Sequence, residues 1–182
     1  MRRAYSVPVN AIGAFALNLG ERLQSAVEDA CGVPGAPAVA LVALHEFADG
    51  DSIALLARVL GVSHSRAVRV VDELEERGWT RRRLDPHDGR AVSVRLTAAG
   101  ARVAKRALRA REAAIAVFLA PLSAGELQAL DAIAGSALGG QAVDVEAARR
   151  ICRLCDACAC GHADGRCPVT EARRARVPDA AS

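Results

Sequence analysis

The chain has 182 residues, a formal net charge of +3, 52% hydrophobic residues and only 3% aromatic ones. That length suits one domain with extensions, and the core must be built from Ala, Val, Leu and Ile, a composition that favours helices. No apolar run approaches the ~20 residues of a membrane span, and Val7 to Leu19 is interrupted by Asn10 and Asn18 without a cleavage-like end, so the expected compartment is the cytoplasm, where thiols stay reduced.

The first periodic segment covers residues 9–30, with Ile12, Phe15, Leu19, Leu23 and Val27 at helical spacing, and Gly32, Pro34, Gly35 and Pro37 end it. A second helix is expected over Ala38 to Phe47, closed by Asp49-Gly50-Asp51. Residues 4–57 carry one cation, Arg22, against six anions, which suits packing and dimerisation rather than a phosphate surface. A third helix starts behind Asp51 or Ser52, both good N-caps, and turns inward Ile53, Leu56, Ala57 and Leu60.

Gly61 makes a turn and Ser63 caps the next helix. There Ala67, Val70, Val71 and Leu74 form one apolar stripe, and Gly78 suits the left-handed stop. Trp79 to Leu84 and Ala91 to Leu96 read as strands around Asp85-Pro86-His87-Asp88-Gly89-Arg90, a charged hairpin. Thr97 caps a long helix to about Ala120. Ser123 and Glu126 form a capping box, opening a helix with Leu127, Leu130, Ile133 and Ala134 on it. Gly139-Gly140 reads as a kink or break before a continuation through Val145, Ala148 and Ile151.

Helix, glycine turn, helix and hairpin in this order are the layout of a winged helix-turn-helix, which places its second helix in the major groove of DNA. From Arg58 to Arg106 there are twelve cationic and six anionic residues, so positive charge is concentrated on this element. With the apolar stripe inward, Ser65, Arg66 and Arg69 project from the leading turns of the outer face. Ser63, His64 and the free N–H groups of the first turn can hold a phosphate. Glu73, Glu75 and Glu76 lie further along, where they would repel one. Arg81 to Arg83 alternate on a strand, so they cannot all face one way. Arg81 and Arg83 are the candidates for phosphate, and Arg90 at the hairpin tip for a minor groove.

The stretch resembles the MarR family of bacterial transcription regulators. The resemblance rests on Leu56-Ala57, Leu60-Gly61-Val62-Ser63, Val70-Val71-Asp72-Glu73-Leu74-Glu75-Glu76-Arg77-Gly78, Asp85-Pro86-His87-Asp88-Gly89-Arg90 and Leu96-Thr97-Ala98-Ala99-Gly100, and covers about residues 8–150. It implies a mainly α, winged helix-turn-helix fold with N- and C-terminal dimerisation helices and a two-stranded wing. It also implies a homodimer on a palindromic double-stranded DNA operator, usually as a repressor, with reading helices one DNA turn (roughly 34 Å) apart. Many relatives bind small phenolic anions, for which Phe15, Phe47, Trp79, Phe118 and His45 are the candidate contacts here.

Residues 151–168 form a separate cysteine-rich segment holding five of the six cysteines, and 169–182 reads as an unstructured tail. In a reducing compartment, clustered thiols point to metal or redox chemistry. Cys152, Cys155, Cys160 and Cys167 are the preferred set for a tetrahedral Zn2+ site, with Cys158 or His162 as alternatives to Cys160. An iron–sulfur cluster is a rival, although the gap between Cys158 and Cys167 is too long for the ferredoxin run. A thiol switch is another, favoured by Arg153 and Arg166, and inert thiols are a fourth. Cys31 reads as a buried small apolar residue. Because the cluster follows the last dimerisation helix, a metal or oxidation acting there could alter the angle between the two heads, while a small-molecule effector is expected between the dimer region and the winged domain.

No phosphate-cradling glycine loop, Ser/His/Asp arrangement or catalytic carboxylate pair is present, so the chain does not read as an enzyme. The competing classes are a thiol–disulfide or metal-dependent enzyme, which would need its cysteines beside a βαβ pattern, and a winged interaction module without DNA, against which the basic stretch argues.

Overall fold

A computed structural model describes residues 8–84 and 92–176. The helices are α1 (Pro8–Cys31), α2 (Ala36–Ala43), α3 (Ile53–Leu60), α4 (His64–Glu76), α5 (Ala98–Leu119), α6 (Ala124–Gln141), α7 (Val145–Ile151) and α8 (Pro168–Arg176), and the strands are β1 (Thr80–Leu84) and β2 (Val92–Leu96). The mainly α architecture with a two-stranded antiparallel wing is the fold expected from the sequence.

α2 forms the centre of the core. Ala38, Ala40, Leu41 and Val42 are fully buried, against Val27 and Cys31 of α1, Leu56 of α3, Val70, Val71 and Leu74 of α4, and Val103, Ala104 and Ala107 of α5. The helix begins at Ala36, earlier than expected, because Pro37 fits a first turn whose N–H groups need no helical partner. Its end relaxes into a π turn, Leu44–Ala48.

The caps are where the sequence places them. Ser52 Oγ accepts from Leu55 N at 3.2 Å, Ser63 Oγ from Arg66 N at 3.2 Å, and Thr97 Oγ1 from Gly100 N at 3.1 Å. Gly61 and Gly78 adopt φ of 67° and 70°, the left-handed region that a side chain would disfavour. Gly100 is required by proximity: a Cβ there would lie 2.1 Å from the Trp79 carbonyl oxygen, on which the first turn of α5 sits.

In the wing, Thr80 pairs with Leu96, Arg81 with Arg95, Arg82 with Val94, Arg83 with Ser93 and Leu84 with Val92. The segment before α3 ties to β2, through Gly50 N to Val94 O at 2.7 Å and Val94 N to Asp51 O at 2.9 Å.

The C-terminal third corrects two expectations. Gly139 is not a kink. α6 runs through it to Gln141, and Gly135 and Gly139 instead form a flat stripe against α8. A Cβ on Gly135 would lie 3.1 Å from Pro168 Cγ, and one on Gly139 3.1 Å from Ala172 Cβ. The chain breaks after α6, and Asp144 then caps α7 by accepting from Ala147 N at 2.7 Å. The tail expected to be unstructured from residue 169 is helical through Arg176, because Val169 and Thr170 bury against α6 and α7. Residues 177–182 and the hairpin tip, 85–91, lie outside the described residues.

Candidate nucleic-acid interface and the cysteine cavity

α4 is amphipathic in the sense that the reading of DNA requires. Ala67, Val70, Val71 and Leu74 are at most 1% exposed. Burying each Val or Leu is worth about 1.5–3 kcal/mol, enough to fix the rotation of the helix. The opposite face is therefore committed to solvent. Ser63, His64, Ser65, Arg66 and Arg69 are all exposed on the leading two turns. The Ser63 and Ser65 hydroxyls lie 3.1 Å apart, and the Ser63 cap leaves the remaining first-turn N–H groups open to solvent or an anion.

The strand register separates the three arginines as alternation requires. Arg81 and Arg83 are exposed on one face, and Arg82 lies on the other. Arg82 Nη2 reaches Asp72 Oδ1 at 2.6 Å, and its Nη1 pairs with Glu75. Two carboxylates in the second half of α4, Asp72 and Glu75, are thereby paired with a cation from the wing, a role the sequence alone had not revealed. The signal was present: a strand residue out of phase with its exposed neighbours needs an inward partner. Arg90 belongs to the undescribed tip, so its expected minor-groove contact falls outside the described residues.

A further cation was missed. The Arg150 guanidinium covers the helix-turn-helix turn, with its Cζ 2.8 Å from where a Gly61 Cβ would stand. It arrives with α7, which is fastened to the head by Arg149 to Asp51 at 2.8 Å and Arg58 to Glu146 at 2.9 Å. Asp51 has its carboxyl raised above the ordinary value by burial, against the opposing pull of Arg149.

The proposed aromatic contacts do not gather into one pocket. Phe15 and Phe118 pack edge to face at 5.1 Å between α1 and α5, and Trp79 lies beneath the Arg77 guanidinium at 5.2 Å. Only Phe47 faces a larger cavity, and His45 faces a separate one of about 240 Å³ beside Lys105 and Arg109.

That larger cavity, about 390 Å³, is where the cysteines meet. Cys152, Cys155, Cys160 and Cys167 line it together with Phe47 and Arg149. Cys158 is exposed and faces the other cavity, so the structure separates it from the four preferred positions. His162 also borders the larger cavity, with Nδ1 held 2.8 Å from Thr170 Oγ1. The sulfurs stand as two pairs, Cys152 with Cys155 and Cys160 with Cys167, each within hydrogen-bonding reach. Among the described residues no three His, Cys, Asp or Glu side chains already converge on one metal position.

The pairs share protons unequally. The hydrogen bond from Cys152 brings Cys155 down to about 7 despite burial, helped by Arg111 and Arg153, while Cys152 is pushed far up. Burial raises Cys160 to about 11. Cys167 is lowered: burial opposes ionisation, but the backbone N–H groups of Thr170 and Val169 and the Thr170 hydroxyl favour the thiolate. Cys31 is buried in the core and raised to about 11 by desolvation, as an inert small residue should be.

Comparison with known proteins agrees with this layout. A MarR family model matches residues 32–91. Over 45 residues, 25% of the chain, the sequence is 44% identical to the transcriptional repressor MprA of Escherichia coli K12, and the aligned stretch spans only 26% of that repressor. CouR from Rhodococcus jostii RHA1, solved bound to p-coumaroyl-CoA, is 28% identical with a TM-score of 0.57, over 72% of this chain and 94% of CouR. Wild-type apo MarR from E. coli shares the fold at 21% identity and a TM-score of 0.61, over 73% of this chain and 98% of that one. No single helix among the described residues is long and apolar enough to cross a membrane. With a buried helical core, an outward-facing second helix and a paired wing all in the expected order, the chain is similar to the MarR family, whose model matches its winged head over residues 32–91, and shares the fold of MarR-type regulators.

Proposed function

We propose that this protein is a dimeric, DNA-binding repressor that docks α4 in the major groove of a palindromic operator. The observation that carries the reading is the division of α4 into a buried apolar stripe and an exposed leading face with Ser65, Arg66 and Arg69. In this reading Arg66 and Arg69 meet base edges, Ser63, His64 and the first-turn N–H groups hold a phosphate, and Arg81 and Arg83 contact the backbone from the wing. Arg90 would follow the wing into the minor groove.

Dimerisation is supported by what the chain leaves uncovered. Ile12 and Leu17 on α1, Val117 near the end of α5 and Ile133 on α6 are each at least 64% exposed. The apolar stripe of α6 thus faces away from its own chain, which uses the glycine face instead. A second copy of the chain covers this surface in the proposed dimer. The C-terminal cysteines modulate the assembly, since their segment joins α6 to the head, and repression is taken over from MprA.

The test is fluorescence anisotropy of the full chain on duplexes from its own promoter over a series of salt concentrations. Nanomolar binding with a steep salt slope and a stoichiometry of two chains per site is expected. Indifference to every duplex at low ionic strength overturns the reading in favour of a protein-interaction module.

A further inference from the structure

We propose that Cys152, Cys155, Cys160 and Cys167 are the four sulfur ligands of a zinc-class divalent cation, which clips together the loop between α7 and α8. The inference stands on the cavity and does not depend on DNA binding.

The fold chooses among the cysteines. α7 delivers Cys152 at its C-terminal end, the following turn returns Cys155 with its N–H donating to Cys152 O at 2.8 Å, and the loop brings Cys160 and Cys167 to the same cavity. Cys158 is turned to the other side of the loop, and His162 is engaged with Thr170. The selected spacing is two residues, then four, then six between ligands, compatible with a tetrahedral sulfur site.

Two further observations fit a bound metal. The backbone N–H groups of Val169 and Thr170 at the start of α8 favour the thiolate of Cys167. Such donors stabilise thiolate ligands and fix their direction. Four thiolates around a divalent cation also leave net negative charge. Arg111 and Arg153 act on Cys155, Arg149 lines the cavity, and the Arg111 Nε is buried without a hydrogen-bond partner.

The segment also needs a fastening. Its own fully buried cluster consists of Ala142, Cys167 and Val169, far too little apolar surface to order a loop of this length. Its anchors to the head are Leu154 in the main core and Ala157 N donating to Glu46 Oε2 at 2.6 Å. The ion draws the Cys152/Cys155 pair and the Cys160/Cys167 pair together across the cavity. Four metal–sulfur bonds form, the thiol protons leave to water and no electron is transferred.

The test uses the full chain, expressed in zinc-supplemented medium and purified reduced and without chelator. Elemental analysis should find about one zinc per chain. Replacement by Co2+ should give the sulfur-to-cobalt charge-transfer bands and the ligand-field spectrum of a tetrahedral tetrathiolate. Native alkylation mapped by mass spectrometry should label Cys158 and spare the four ligands until the metal is chelated. Cys155→Ser and Cys167→Ser should retain at least tenfold less metal, and Cys158→Ser should retain it fully. If the ligand variants fail to fold, the cobalt spectrum and the alkylation map of the wild type still decide. Absence of bound metal, acid-labile sulfide with iron, disulfides in the reduced preparation, or protection of Cys158 in place of one of the four would each overturn the proposal.

Discussion

Arg82 of the wing strand holds Asp72 of α4, with Nη2 2.6 Å from Oδ1, and its backbone N–H donates to Glu75 Oε1 at 2.6 Å. The wing and α4 therefore move as one piece, and the second half of α4 keeps less negative charge than its sequence suggests. Arg82→Ala should lower stability by about 1 kcal/mol, a Tm loss of a few degrees, since the network is partly exposed. It should also weaken DNA binding although Arg82 faces away from the contact surface. Adding Asp72→Ala should restore part of that binding. Equal losses in the single and double variants, read by anisotropy, would show that charge neutralisation is not the cause.

The contacts proposed for α4 and for the wing differ in kind. Arg66→Ala and Arg69→Ala should each cost about 1–3 kcal/mol on the operator and relax base preference at one position. Arg81→Ala should weaken all duplexes alike and reduce the salt slope by about 1. Binding to randomised duplexes, with sequencing of the bound pool, separates the two behaviours.

The exposed apolar face of α6 predicts the oligomeric state. Ile133, 67% exposed, should be buried between chains. Ile133→Arg should shift the protein from dimer to monomer in sedimentation velocity while leaving the helical circular dichroism intact. A variant that stays dimeric at low micromolar concentration places the interface elsewhere.

Gly100 tolerates no side chain. A Cβ would sit 2.1 Å from the Trp79 carbonyl oxygen, a backbone atom held by Thr97 N at 3.0 Å. Gly100→Ala should therefore cost more than about 3 kcal/mol in spite of the better helix propensity of Ala. Urea unfolding measures it, and a neutral or stabilising result would mean that the start of α5 can move off the strand.

The capping box of α6 carries a pH signature. Glu126 Oε2 accepts from Ser123 Oγ at 2.7 Å and from Ser123 N at 2.8 Å, and these bonds hold its carboxyl below the ordinary value. A depressed carboxyl stabilises the folded state above the ordinary Glu range, near ~4.3, and loses that contribution as pH falls through the lowered folded value. The Tm difference between wild type and Glu126→Ala should thus be present at neutral pH and shrink on acidification. A difference that grows in acid contradicts this arrangement.

Much of the winged head was legible because its determinants are local. Ser52, Ser63, Thr97 and Ser123 cap the helices that follow them, Gly61 and Gly78 take the left-handed turns, and the stripe from Ala67 to Leu74 sets the face of α4 by periodicity alone. The C-terminal third was misread where the deciding partner is distant. Gly139 looks like a helix breaker until Ala172 is seen to pack on it, and residues 168–176 look too polar to fold until α6 supplies a glycine surface.

The same division holds for function. By itself the order of short-range signals, with positive charge concentrated between Arg58 and Arg106, determined the winged helix-turn-helix layout, the outward face of α4 and the candidate arginines, since capping and amphipathic period act within a few residues. Only the tertiary structure decided that Arg82 pairs with the carboxylates of α4, that Cys158 stands apart from the other four clustered thiols, and that Phe47 borders the cysteine cavity while Phe15 and Phe118 pack on each other. Those outcomes depend on which surfaces meet across α6, α7, α8 and the head, and contacts between segments far apart in the chain leave no periodic trace in either one.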